Sequence, residues 1–149
     1  MEAIIFIGIQ GAGKSTFYRT QFFNTHIHLN LDMLKTRHRE QIFLQACLEA
    51  KQPFVVDNTN PTVEDRKRYI IPAKDKGFRV LAYYFDSKLE DCQQRNSRRS
   101  PKLIVPLVGL LATQKKLVLP SWEEGFNAIY SVKTNFNYSF IIEEWKHEI

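Results

Sequence analysis

A glycine-rich run ending in lysine and serine is the clearest chemical signal in the chain. Gly8-Ile9-Gln10-Gly11-Ala12-Gly13-Lys14-Ser15 is a complete G-x-x-x-x-G-K-[ST] element. It follows the apolar run Ala3–Ile7 and leads directly into Thr16-Phe17-Tyr18. A buried strand, a glycine-rich turn and a helix N-terminus together make a phosphate-binding loop. The glycines let successive N–H groups point at one spot, where the helix dipole adds positive potential. In that frame Gly8, Gln10, Gly11, Ala12, Gly13 and Thr16 surround a triphosphate. Lys14 reaches the β- and γ-phosphates, and the Ser15 hydroxyl is a ligand for Mg²⁺. ATP with Mg²⁺ is the expected pair.

Other residues decide where a γ-phosphoryl group would go. Asp32 follows Asn30-Leu31 at the end of a short apolar segment, so it faces the loop. A carboxylate there can orient a hydroxyl and accept its proton. Asp is also a favoured helix N-cap, and one residue can do both jobs. A second cluster, Asp57-Asn58-Thr59-Asn60-Pro61, ends the buried run Pro53–Val56. Asp57 is Walker-B-like and can hold Mg²⁺ through water. Asn58, Thr59 and Asn60 offer donors and acceptors to a substrate, although the same residues also form turns. The third cluster is the basic stretch 95–102. Arg95 and Arg99 share a face if the helix continues that far. Lid arginines so placed neutralise the transferring phosphoryl; a solvated basic face is the plainer alternative. His26 and His28 share a strand face without a third ligand in view, so no metal site is expected there. Tyr83, Tyr84 and Phe85 read as core and strand filler.

Strand and helix alternate in the elements that must position these groups. Strands are expected over 3–7, 26–31, 53–56 and 78–85, with late strands over 128–132 and 140–145. Helices are expected over 14–23, 33–51, 62–76 and 105–116, and one capped by Ser87 runs to about Asn96. Thr62 with Asp65 three residues later marks an N-terminal cap. This is an α/β chain with a central parallel sheet flanked by helices, ligands at the carboxyl ends of its strands, and an arginine-bearing lid.

The 149 residues suit one domain, 1–149, with a single core. Hydrophobic content of 44% and charged content of 25% are ordinary for a soluble chain, and no stretch has the length to span a bilayer. No signal peptide precedes the first strand, and a cytoplasmic location is expected. Cys47 and Cys92 read as buried free thiols. A net charge of +5 favours an anionic partner, which nucleotide and nucleic acid both satisfy.

With these motifs in order, the chain resembles the 5′-hydroxyl polynucleotide kinases. The matching segments are Gly8–Phe17 (GIQGAGKSTF), Asn30-Leu31-Asp32, Val55–Pro61 (VVDNTNP) with Arg66 and Tyr69-Ile70, and Arg95–Arg99 (RNSRR). A weaker echo follows in Pro120 and Glu124-Gly125-Phe126. The resemblance implies a P-loop kinase fold, ATP and Mg²⁺ held by Lys14 and Ser15, and Asp32 as general base for a 5′-hydroxyl of DNA or RNA. It further implies that Asp57, Asn58 and Thr59 line the acceptor crevice and that Arg95 and Arg99 grip the ATP phosphates. Where the phage enzyme holds a substrate phosphate with arginine, this chain has Lys35, with Arg37 and Arg39 nearby. Lysine keeps the charge and loses the bidentate fork. No D-x-D phosphatase motif occurs. Two other functions fit the residues: a small-molecule kinase for a sugar, nucleoside or antibiotic, and a nucleotide-binding regulatory module. A polynucleotide acceptor needs an open channel, which Lys35, Arg37, Arg39, Arg66, Lys67 and Arg68 would line if they share a rim.

Overall fold

Short β-branched and aromatic runs become strands of one six-stranded sheet, ordered β2-β3-β1-β4-β5-β6. They are β1 (Glu2–Ile7), β2 (Ile27–Leu29), β3 (Phe54–Val56), β4 (Arg79–Phe85), β5 (Ala128–Thr134) and β6 (Phe140–Glu144). The computed structural model describes residues 1–135 and 139–145. Strand β1 is buried from Ala3 onward and alternates its side chains between two layers. Ala3, Ile5 and Ile7 join Leu44, Leu48 and Tyr69 on one face. Ile4 and Phe6 join Phe17, Tyr18 and Phe85 on the other. Five strands run parallel. The sixth corrects the all-parallel expectation: β6 pairs antiparallel with β5, Val132 opposite Ile142. Only five residues separate the two strands, too few for the crossover that parallel pairing needs.

Register determines the site. Ile5 and Leu29 both pair with Val56, so β1, β2 and β3 reach their carboxyl ends side by side. The helices are α1 (Lys14–Gln21), α2 (Leu31–Leu34), α3 (Arg37–Ala50), α4 (Val63–Asp75), α5 (Leu89–Ser97) and α6 (Leu107–Lys116), with a 3-10 turn at Trp122–Glu124. A ring cluster moors α1: Phe17 packs on Phe6, Phe85 and Phe140 with centroids 5.7, 5.4 and 4.9 Å away. Among the described residues no helix is long and apolar enough to cross a membrane. Cys47 and Cys92 are buried and free.

Several expected boundaries move. The helix expected over 33–51 is two helices, because Asn30 and Thr36 each cap one, and Lys35 between them adopts a φ of 75°. The strand expected over 26–31 stops at Leu29 for the same reason. Ser87 is not the cap of α5; that position belongs to Lys88, whose side chain makes no capping bond. Thr62 and Asp65 form the expected capping box at α4, with Asp65 N–H 3.1 Å from Thr62 Oγ1.

Arg66 proves structural. Its side chain is fully buried and pairs with Glu124 at 2.9 Å, Nε donates to Asn60 O at 3.0 Å, and Nη2 donates to the carbonyls of Pro61 and Val118. Burial pulls its guanidinium pKa down, and Glu124 partly restores it. The Glu124 echo therefore marks the partner that makes a buried arginine tolerable. Arg66→Ala strands a carboxylate whose side chain is 3% exposed and should lower unfolding stability by about 3–5 kcal/mol. Urea denaturation reads this loss, and an unchanged midpoint would return Arg66 to the list of acceptor contacts.

Candidate active site

The phosphate loop spans the end of β1 and the start of α1 and adopts the geometry its glycines permit. Gly11 and Gly13 have φ of 79° and 95°, where a side chain is strained. A Cβ on Gly11 would also strike the carbonyl of Cys92 in α5, and one on Gly13 would come within 2.8 Å of Thr134 Oγ1. The loop is thus wedged between α5 and the end of β5. Thr134 donates to Ala12 O at 2.9 Å, and Gly8 N–H donates to Thr59 O at 3.0 Å. Lys14 Nζ lies inside the loop, donating to Gly8 O at 3.0 Å and Ile9 O at 2.8 Å. Desolvation lowers its pKa, and Asp57 opposes that shift.

The loop opens into a crevice of about 700 Å³. Its wall includes Gln10, Gly11, Gly13, Lys14, Ser15 and Thr16 from the loop, Asp32 from α2, and Asp57, Asn58 and Thr59 beyond β3. Arg95 and Arg99 close the far side. Ser15 Oγ donates to Asp57 Oδ2 at 2.7 Å. A hydroxyl and a carboxylate are hard oxygen donors, and Mg²⁺ takes one or two such groups from a protein and completes its shell with phosphates and water. The residues present fit that ion.

Hydrogen bonds tie the β2 and β3 ends into one unit. Asn30 Nδ2 donates to Asp57 O at 2.7 Å, and Leu31 N–H donates to Asn58 Oδ1 at 3.0 Å. Asn58 is held in turn by buried Glu40, which also accepts from Tyr69 and Arg37. Burial, reinforced by Glu40, pushes the Tyr69 phenol up to about 12. Asn30 is the cap of α2, accepting from Met33 N–H, so Asp32 carries no capping duty. The Asp32 side chain is 55% exposed and accepts from Arg99 Nη2 at 2.7 Å.

The two lid arginines arrive differently from the expectation. Helix α5 ends at Ser97, so Arg99 lies beyond it and does not continue the helical face of Arg95. Arg95 Nη1 donates to Gly11 O at 3.0 Å, and Gln10 Nε2 to Thr113 Oγ1 of α6 at 3.2 Å, which seats the lid on the phosphate loop.

Other expected residues fall elsewhere. Asn60 is 3% exposed, spends its amide on Phe6 O at 2.8 Å, and does not line the crevice. Gly8 and Ala12 lie behind the loop surface, and Ala12 is fully buried. Lys35 sits at the C-cap of α2, off the crevice wall. Arg37 is drawn to Glu40 and Tyr69, Arg39 reaches Leu34 O, and Lys67 pairs with Glu64. None of Lys35, Arg37, Arg39, Arg66, Lys67 and Arg68 lines the crevice. Among the crevice residues that the sequence reading does not assign to the site are Arg19 and His28. Arg19 follows Ser15 by one helical turn, a spacing that could have revealed it.

The sequence matches the AAA domain family over residues 4–107, more than half of the chain. The chain belongs to that family. A provisionally named bifunctional polynucleotide phosphatase/kinase of Acanthamoeba polyphaga mimivirus is 32% identical over 97% of this chain. The bifunctional polynucleotide phosphatase/kinase of Schizosaccharomyces pombe is 28% identical over 88% of it. The chain spans 36% and 33% of those two proteins, about a third of each. The fold is that of the P-loop kinases. Chaetomium thermophilum Kti12, solved with ADP-AlF3, superposes with a TM-score of 0.68 at 14% identity, covering 91% of this chain and 92% of that one. A Sinorhizobium meliloti gluconokinase superposes with a TM-score of 0.59 at 17% identity, covering 89% and 82%.

Lys14 yields a prediction with two readouts. Its lowered pKa means that holding it charged inside the loop costs folding stability. Lys14→Met should leave the thermal midpoint equal or higher while cutting ATP turnover by at least ~10²-fold. A large fall in melting temperature would make Lys14 a structural residue.

Proposed function

We propose that this domain transfers the γ-phosphoryl group of ATP to the 5′-hydroxyl of a DNA or RNA end. The observation that carries the reading is Asp32, a half-exposed carboxylate on the crevice wall, free of capping and facing the lid across from the phosphate loop. The polynucleotide acceptor draws its support from the names of the two relatives and from the DNTNP segment on which the family resemblance rests.

In this reading ATP lies along the phosphate loop with Lys14 at its β- and γ-phosphates. Asp32 orients the acceptor hydroxyl and takes its proton as the oxygen attacks the γ-phosphorus. The bond to the bridging oxygen of ADP breaks in line with that attack. Arg95 and Arg99, with Arg19 at the mouth, neutralise charge on the transferring group, which requires Arg99 to exchange Asp32 for phosphate. Ser15 and Asp57 would hold Mg²⁺, which would neutralise charge developing on the phosphates. Asn58 and Thr59 remain the acceptor-side polar groups; Asn60 and Lys35 drop out of that role.

A small-molecule acceptor is the second reading, and one observation favours it. The cations that follow Asp32 in sequence, Lys35, Arg37 and Arg39, do not line the crevice. Labelled ATP incubated with a 5′-hydroxyl oligonucleotide, beside nucleosides and sugars, separates the two. The first reading expects label on the oligonucleotide, with single-strand binding that weakens with salt by a slope of about 0.7 per phosphate contacted. Label on a nucleoside or sugar alone, with no such slope, would replace it. Asp32→Asn should lower the transfer rate by about 10²–10⁴-fold and leave ATP affinity nearly unchanged. A raised Michaelis constant for ATP at an intact rate would move Asp32 into the nucleotide site.

A further inference from the structure

His28 has no part in the roles described above, yet it touches the most buried charge of the crevice. Strand β2 aims its ring at Asp57, with Nε2 2.7 Å from Oδ2. The Asp57 side chain is 1% exposed. A carboxylate only accepts, so His28 donates through Nε2. The same Oδ2 takes the Ser15 hydroxyl at 2.7 Å. The ring itself is clamped: it stacks on Tyr18 with centroids 3.9 Å apart and planes 12° apart. Tyr18 is anchored in turn by its hydroxyl, which donates to His26 O at 2.6 Å. Two donors from different elements, α1 and β2, therefore meet one carboxylate oxygen.

These two donors are not equivalent. Ser15 is the group that a metal ion would draw into its own coordination, so its bond to Asp57 is free to change. His28 cannot follow such a change, because Tyr18 holds its ring. We propose that His28 is a positioning residue that fixes the plane of the Asp57 carboxylate for the Mg²⁺ bound with nucleotide. The inference rests on the Ser15–Asp57 metal assignment and is independent of the acceptor. It also revises the expectation drawn from the two histidines: His26 goes to Glu2 at 2.9 Å, while His28 acts on a metal site one bond removed, without being a ligand. Outer-shell partners of this kind typically carry 10–100-fold in metal affinity.

His28→Phe keeps a ring against Tyr18 and removes the donor; His28→Gln keeps an N–H near the Nε2 position and removes the ring. Mn²⁺ binding to the protein–ADP complex, followed by electron paramagnetic resonance of the free ion, gives a readout without turnover. We expect His28→Phe to weaken Mn²⁺ by about 10–100-fold and His28→Gln to recover most of that loss. ADP affinity in EDTA should be the same in all three proteins. A Phe variant that binds Mn²⁺ like the native protein overturns the proposal, as does a Gln variant that falls equally far. Native protein that leaves the Mn²⁺ affinity of ADP unchanged overturns the metal assignment beneath it. If the Phe variant does not fold, ¹⁵N spectroscopy of the native imidazole decides: an Nε2–H tautomer is required, and an Nδ1–H tautomer refutes the role.

Discussion

Asp57 is a carboxylate almost wholly removed from water, and such a group is tolerated only where donors surround it. Its neighbourhood supplies two of them and holds its backbone in place. Ser15 comes from α1 and His28 from β2, and the Asp57 backbone is stitched to Leu29 and Asn30. Meeting that requirement brings the phosphate loop, the second strand and the third strand to one point. The segment bearing Asp32 then follows, because Leu31 N–H is bound to Asn58, one residue past the carboxylate. The geometry of the crevice is in this sense a by-product of satisfying one buried charge.

The fold was largely legible because its signals are local. The glycine spacing of the loop, the strand runs of β1 and β4 and the Thr62–Asp65 box each follow from neighbouring residues. What escaped was decided at a distance or by competing caps. Nothing local separates a helix over 33–51 from two helices until Asn30 and Thr36 are both seen to accept from the backbone. The antiparallel β6 depends on how short its connection is, which the segment's own pattern does not announce.

Residues of the crevice wall are the most legible in the sequence. Lys14, Ser15, Asp32, Asp57, Arg95 and Arg99 all line the crevice. Polar residues nearby in sequence were harder to sort, since a side chain serving the backbone has the same type as one serving a substrate. Asn60 and Arg66 belong to the first kind and hold up the turn after β3 from behind. Arg37 is split between Glu40 and Tyr69. His28 offers no third metal ligand nearby, whereas its partner is a carboxylate just past the end of another strand, 29 residues away. Only the sheet order makes that pair adjacent.

The pairing pattern bears on where an excess charge of +5 is felt. Arg66 is cancelled by Glu124, Arg37 by Glu40 and Lys67 by Glu64. Lys14, Arg19 and Arg95, by contrast, lean on neutral oxygens: loop carbonyls and the Thr16 hydroxyl. An anion arriving at these three displaces dipoles rather than rival carboxylates; at Arg99 it must displace Asp32. A low-dielectric cleft focuses the field of these three cations. The crevice thus works as a lens for charge, with three cations held by neutral oxygens gathered around one loop.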